Sequence, residues 1–68
     1  MKFQMYDLVR LKTEKQGLAL GTEGTIVMTY EYPREGYDVE FPDLSEQVPV
    51  LTLYPEDLEL AGPRPGDA

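Results

Sequence analysis

The chain has 68 residues, enough for one small domain. Its 41% hydrophobic and 28% charged content is ordinary for a globular protein, and no apolar run approaches the roughly 20 residues of a membrane span. Cysteine, histidine and tryptophan are absent, which excludes disulfide frameworks, thiolate and imidazole metal sites, and histidine-activated nucleophiles. Six basic residues against thirteen acidic ones give a formal net charge of −7. Binding to phosphate backbones or anionic lipid runs on Lys and Arg, so nucleic acid and membrane surfaces are both disfavoured as partners. The charge is uneven. Residues 1–20 hold Lys2, Arg10, Lys12 and Lys15 against Asp7 and Glu14, whereas residues 21–68 hold Arg34 and Arg64 against eleven acids. Such a dipolar surface orients charged partners.

The start, Met1-Lys2-Phe3-Gln4, runs into Asp7 and Arg10 without an apolar core, so no secretory signal is expected and a cytoplasmic setting is the default. Asparagine is also absent and there are six prolines, a composition that fits a thermophilic source.

Along the chain the hydrophobic period is two. In Leu8-Val9-Arg10-Leu11-Lys12, Val9 and Leu11 share one face and the two cations the other. Thr13 to Gly21 predicts a loop whose Leu18 and Leu20 fold back over one end of the core, and Gly21 and Gly24 bracket a turn as residues free to take positive φ. Gly24 to Tyr30 is rich in β-branched residues and predicts a second strand. Glu31 to Gly36 reads as a hairpin loop into a third strand, Tyr37-Asp38-Val39-Glu40-Phe41, with three large residues inward and two acids outward. Pro42 to Gln47 leads to a fourth run, Val48 to Leu53, in which Pro49 is tolerable only at an edge or at the start. Tyr54-Pro55-Glu56-Asp57-Leu58 predicts one helical turn before a short fifth strand, Leu58 to Leu60.

Five short strands, one long early loop and a 3-10 turn before the last strand describe an all-β, five-stranded SH3-like barrel over residues 1–60, with 61–68 as a flexible C-terminal tail. The expected core is Val9, Leu11, Leu20, Ile26, Met28, Val39, Phe41, Val50, Leu58 and Leu60.

The series Tyr6-Asp7-Leu8-Val9, Gly21-Thr22-Glu23-Gly24-Thr25-Ile26-Val27, Tyr37 to Phe41 and Val50-Leu51-Thr52-Leu53 resembles a small bacterial family of single SH3-like domains of unknown function, over about residues 3–60. Similar strand-turn-strand wording occurs in photosystem I reaction-centre subunit IV, nitrile hydratase β-subunits and KOW-type nucleic-acid modules. The resemblance implies an antitoxin-like or accessory-subunit role, and it carries structure better than task.

Tyrosine is the enriched side chain, with five in the chain, and Tyr30-Glu31-Tyr32-Pro33 and Tyr54-Pro55 place tyrosine beside proline. Large rigid rings suit a docking surface, although they equally cap the ends of a small barrel. The expected partner-binding residues are Tyr30, Tyr32, Tyr37 and Tyr54, with Arg10 and Lys12 steering at the rim, and the partner is another protein or a second copy. The carboxylates Glu35, Asp38, Glu40, Asp43 and Glu46 read as a solvated acidic face, and Ser45 as turn chemistry. No catalytic residue, metal or cofactor is expected. The reading is a non-enzymatic interaction module. The alternatives are a KOW-like nucleic-acid barrel using Lys2, Arg10, Lys12 and Lys15, and a scaffold subunit of a larger enzyme.

Overall fold

A computed structural model describes residues 1–15, 17–42 and 50–63. Alternating patterning is realised as five strands: β1 (Leu8–Leu11), β2 (Glu23–Tyr30), β3 (Gly36–Glu40), β4 (Val50–Leu53) and β5 (Leu58–Leu60). They form one sheet in the order β4-β3-β2-β1-β5, every neighbouring pair antiparallel. A 3-10 turn, Pro55–Asp57, precedes β5. The expected residues Val48 and Pro49, the loop carboxylates Asp43 and Glu46, Ser45, and the tail from Arg64 onward lie outside the described residues.

The connection between β4 and β5 decides the shape of the sheet. A flat sheet would hold its outer strands about 19 Å apart, from four spacings of roughly 4.8 Å. Tyr54 and the three-residue turn are all that lies between β4 and β5, and a 3-10 turn rises only about 2 Å per residue. The sheet therefore curls, bringing the end of β4 round towards the start of β5, and the hydrophobic rows of all five strands face one core. Ile26, Val39 and Leu51 form one such row across β2, β3 and β4, and Leu11 and Leu58 pair across β1 and β5. Together with Val9, Tyr37, Phe41 and Leu53 they are all buried.

Two further core side chains come from outside the strands. Phe3 is 2% exposed and meets Tyr37 edge to face at 5.3 Å between ring centroids. Leu18 is turned inward by a bridge to Lys15, its N–H donating to the Lys15 carbonyl at 2.8 Å. Leu20, expected in the core, is 66% exposed instead. It sits in the tight turn Ala19–Thr22, closed by Thr22 N–H to the Ala19 carbonyl at 3.1 Å, with Gly21 at φ +85°. Gly24 does not take positive φ. It is an inward strand residue where a Cβ would lie 2.7 Å from the Glu40 carbonyl oxygen.

Met28 and Leu60 also leave the expected core, and Val50 is only half-buried. Leu60 ends β5 at the sheet edge. Met28 is displaced by a β-bulge: Ile26 pairs with Val39 and Met28 with the next residue back, Asp38, so Val27 is extra on β2. A one-residue slip exchanges the faces. Gly24 and Ile26 point inward, whereas Met28 and Tyr30 point outward.

Ala61 continues the β1–β5 ladder past Leu60, its N–H donating to the Leu8 carbonyl at 2.8 Å. No helix among the described residues is long and apolar enough to cross a membrane.

Candidate partner-binding site

The bulge in β2 has a direct effect on the tyrosines. Tyr30, turned outward at the end of the strand, donates its hydroxyl to Asp38 Oδ2 at 2.6 Å. Asp38 Oδ1 accepts from Thr52 Oγ1 at 2.6 Å, and Asp38 and Thr52 are register partners on β3 and β4. The hydrogen bond to the Asp38 carboxylate holds the Tyr30 hydroxyl above its ordinary pKa of 10.0, with loss of hydration and the carboxylate's charge acting in the same direction.

The β2–β3 loop brings in Tyr32, Pro33 and Arg34. Tyr54, immediately after β4, reaches the same place, its ring lying beside Gly36. Tyr30, Tyr32, Pro33, Arg34, Gly36, Thr52 and Tyr54 line one open, mostly apolar depression of about 240 Å³. Tyr32 is 89% exposed. Arg34 lies over the Tyr54 ring, its guanidinium carbon 4.0 Å from the ring centroid, and its Nη2 donates to both Glu56 oxygens at 2.7 and 3.0 Å. Glu56 is held below the usual carboxylate range, first by its own backbone N–H and then by Arg34.

Three of the four expected tyrosines thus converge, Tyr30 and Tyr32 from the end of β2 and its loop and Tyr54 from the end of β4. Tyr37 does not. It is fully buried, as its inward place in the β3 alternation requires, and its hydroxyl accepts from the Phe3 N–H at 3.1 Å while donating to Glu35. Arg10 and Lys12 are not at the rim either. They line a second depression of about 370 Å³ with Leu11, Leu20, Gly21 and Glu59, which shares no residue with the first. Arg10 is committed to Glu59 at 3.1 Å and to the Ala61 carbonyl at 3.1 Å, and Lys15 to Asp57 at 3.6 Å. Arg10 and Lys15 are thus each drawn to a carboxylate.

The cation at the tyrosine depression is Arg34, which the sequence reading passed over. Its signal was its position: it directly follows Tyr32-Pro33 and is the one basic residue between 21 and 63. Among the described residues no three carboxylates gather into a group able to hold a metal ion. Glu35 is instead held by the Tyr37 hydroxyl and the Lys2 N–H, which together lower its pKa, the tyrosine bond contributing most.

A small, curled all-β module with one aromatic depression on its outer sheet face is what the residues define. The chain belongs to the family described as a domain of unknown function (DUF4926), whose profile matches residues 5–60. No curated protein matches it, and no solved structure does.

Proposed function

We propose that this chain is a non-enzymatic interaction module that docks a partner protein against Tyr30, Tyr32, Arg34 and Tyr54. One observation carries the reading: Tyr54 is brought beside Tyr30 and Tyr32 at one open depression, and the device that turns Tyr30 outward is a bulge in an otherwise regular strand. Exposed tyrosine rings beside an arginine are the side-chain types enriched at docking surfaces. The strand order β4-β3-β2-β1-β5 and the 3-10 turn before β5 support an SH3-like barrel as the scaffold. The role that fits a small interaction module is that of an accessory or antitoxin-like subunit, acting in the cytoplasm.

The test is a tagged pull-down from native lysate, with and without nuclease, at about 50 and 300 mM salt, a range over which phosphate-driven binding falls steeply. The wild-type chain retains a stoichiometric protein after nuclease treatment, and the Tyr32→Ala/Tyr54→Ala variant loses it. Retention of the same protein by the double variant rejects the site. Recovery of nucleic acid alone, at low salt only, rejects the function in favour of the KOW-like alternative.

A further inference from the structure

The tyrosine depression already holds a cation. The Arg34 guanidinium rests on the face of Tyr54 at 4.0 Å, well within the roughly 6 Å over which a ring attracts positive charge. Two rings of the depression, Tyr30 at 40% and Tyr32 at 89% exposure, remain available to solvent. Their surroundings are negative. Glu56 balances Arg34, while the Asp38 carboxylate holds the Tyr30 and Thr52 hydroxyls.

From this we infer that the docked segment is basic: an extended stretch of a partner protein that lays a Lys or Arg side chain against Tyr30 and Tyr32, close to Asp38. The inference rests on the docking reading above and names the chemistry of its partner. The aliphatic stem of such a side chain covers the apolar floor while its charged head meets the ring faces and the carboxylates. An acidic segment would meet like charge at Asp38 and Glu56, which disfavours it by repulsion. The Arg34–Tyr54 stack shows the geometry that an incoming cation would repeat on the neighbouring rings.

The purified full chain is titrated with acetyl-Gly-Arg-Gly-Lys-Gly-amide, and separately with its double-glutamate counterpart, while the tyrosine ring resonances are followed by NMR. The expected result is a saturable shift of the Tyr30, Tyr32 and Tyr54 rings with the basic peptide, no movement of Tyr6, and weakening as salt rises. Tyr32→Ala reduces the affinity about five-fold, the size of one exposed cation–π contact. Asp38→Asn reduces it as well, and the amide spectrum of each variant verifies its fold. Four results overturn the proposal: equal binding of the acidic peptide; shifts centred on Lys12 and Leu20; no ring shift up to about 10 mM peptide, beyond the range of any useful contact; or ring shifts that follow protein concentration alone, which identify a second copy as the occupant. A lysate partner that depends on Tyr32 and Tyr54 while the basic peptide stays inert keeps the docking surface and rejects only its chemistry.

Discussion

The Tyr30 hydroxyl donates to Asp38 at 2.6 Å from the outer face of the sheet, although two residues of regular alternation beyond Met28 and Ile26 would have placed Tyr30 in the core. The extra residue at Val27 separates these outcomes. It leaves Ile26 packed on Val39 and Leu51, and it sends Met28 and Tyr30 outward to where Asp38 and Thr52 wait. Packing and site are thus built from the same strand, divided by one bulge.

The Tyr30–Asp38 bond makes a spectroscopic prediction. Asp38→Asn removes the carboxylate, which is both the hydrogen-bond acceptor and the nearby negative charge that raise the Tyr30 pKa. Its titration then moves down towards 10.0. A site-resolved alkaline NMR titration of the tyrosine rings checks this, and an unmoved Tyr30 would show that Asp38 does not hold it.

Two glycines should respond in opposite ways. At Gly24 an added Cβ meets the Glu40 carbonyl oxygen at 2.7 Å and Phe41 and Val39 side-chain carbons at 2.8 Å, one of them backbone that cannot rotate away. Gly24→Ala is expected to destabilise by about 1–3 kcal/mol, as overpacked cores do. Gly36→Ala meets nothing closer than 3.6 Å and should fall near wild type in chemical denaturation. Equal midpoints for the two variants would contradict the packing described for β2 against β3.

The N-terminal segment contributes to the core although it contains no strand. Phe3→Ala opens a cavity against Tyr37 and is expected to cost about 3–5 kcal/mol. Leu20→Ala, at a residue 66% exposed, should stay within about 0.5 kcal/mol of wild type. Urea denaturation of the two variants compares them directly, and a larger loss at Leu20 would overturn the assignment of the core.

Glu35, Tyr37 and the backbone of Lys2 and Phe3 form a chain of hydrogen bonds that titrates at both ends of the pH scale. The Tyr37 hydrogen bond, followed by the Lys2 N–H, lowers Glu35, so its contribution is present above the ordinary carboxylate value of 4.5 and is lost as pH falls through the lowered value. Burial, followed by the Glu35 hydrogen bond, raises Tyr37, so its contribution is present below 10.0 and is lost as pH rises through the raised value. Glu35→Gln should flatten the acid limb of the stability–pH curve, and Tyr37→Phe the alkaline limb. Tyr37→Phe also leaves the buried Phe3 N–H without its acceptor, at a cost of about 1–3 kcal/mol at neutral pH. Unaltered limbs in both variants would mean that other groups set the pH dependence.

The strands were legible because their signal is local. Val9 and Leu11 against Arg10, or Tyr37 and Val39 against Asp38, carry the period of two within five residues, and Pro55 with two following acids marks the turn before β5. The errors arose where side-chain direction depends on something non-local. Met28 follows the apolar pattern, but the bulge that turns it out is defined by pairing with β3. Leu18 and Leu20 are chemically identical, and only the Lys15 bridge and the Ala19–Thr22 turn separate inside from outside. Phe3 lies before any periodic segment and is buried through a residue 34 positions away. The tyrosine site was legible as composition, and its membership was not. Tyr37 was excluded by the very alternation that identified β3, whereas Arg34 entered through a loop whose course no pattern specifies.

The most direct test of the docking surface uses the tyrosines as reporters. The free chain and its captured complex are treated with tetranitromethane, and nitration is quantified at each tyrosine by mass spectrometry. Tyr6, 63% exposed and outside the depression, is the internal reference, and buried Tyr37 should react poorly in both states. The account predicts that Tyr30, Tyr32 and Tyr54 are protected in the complex while Tyr6 reacts equally in both. Nitration of Tyr32 as fast in the complex as in the free chain would place the partner elsewhere and contradict it.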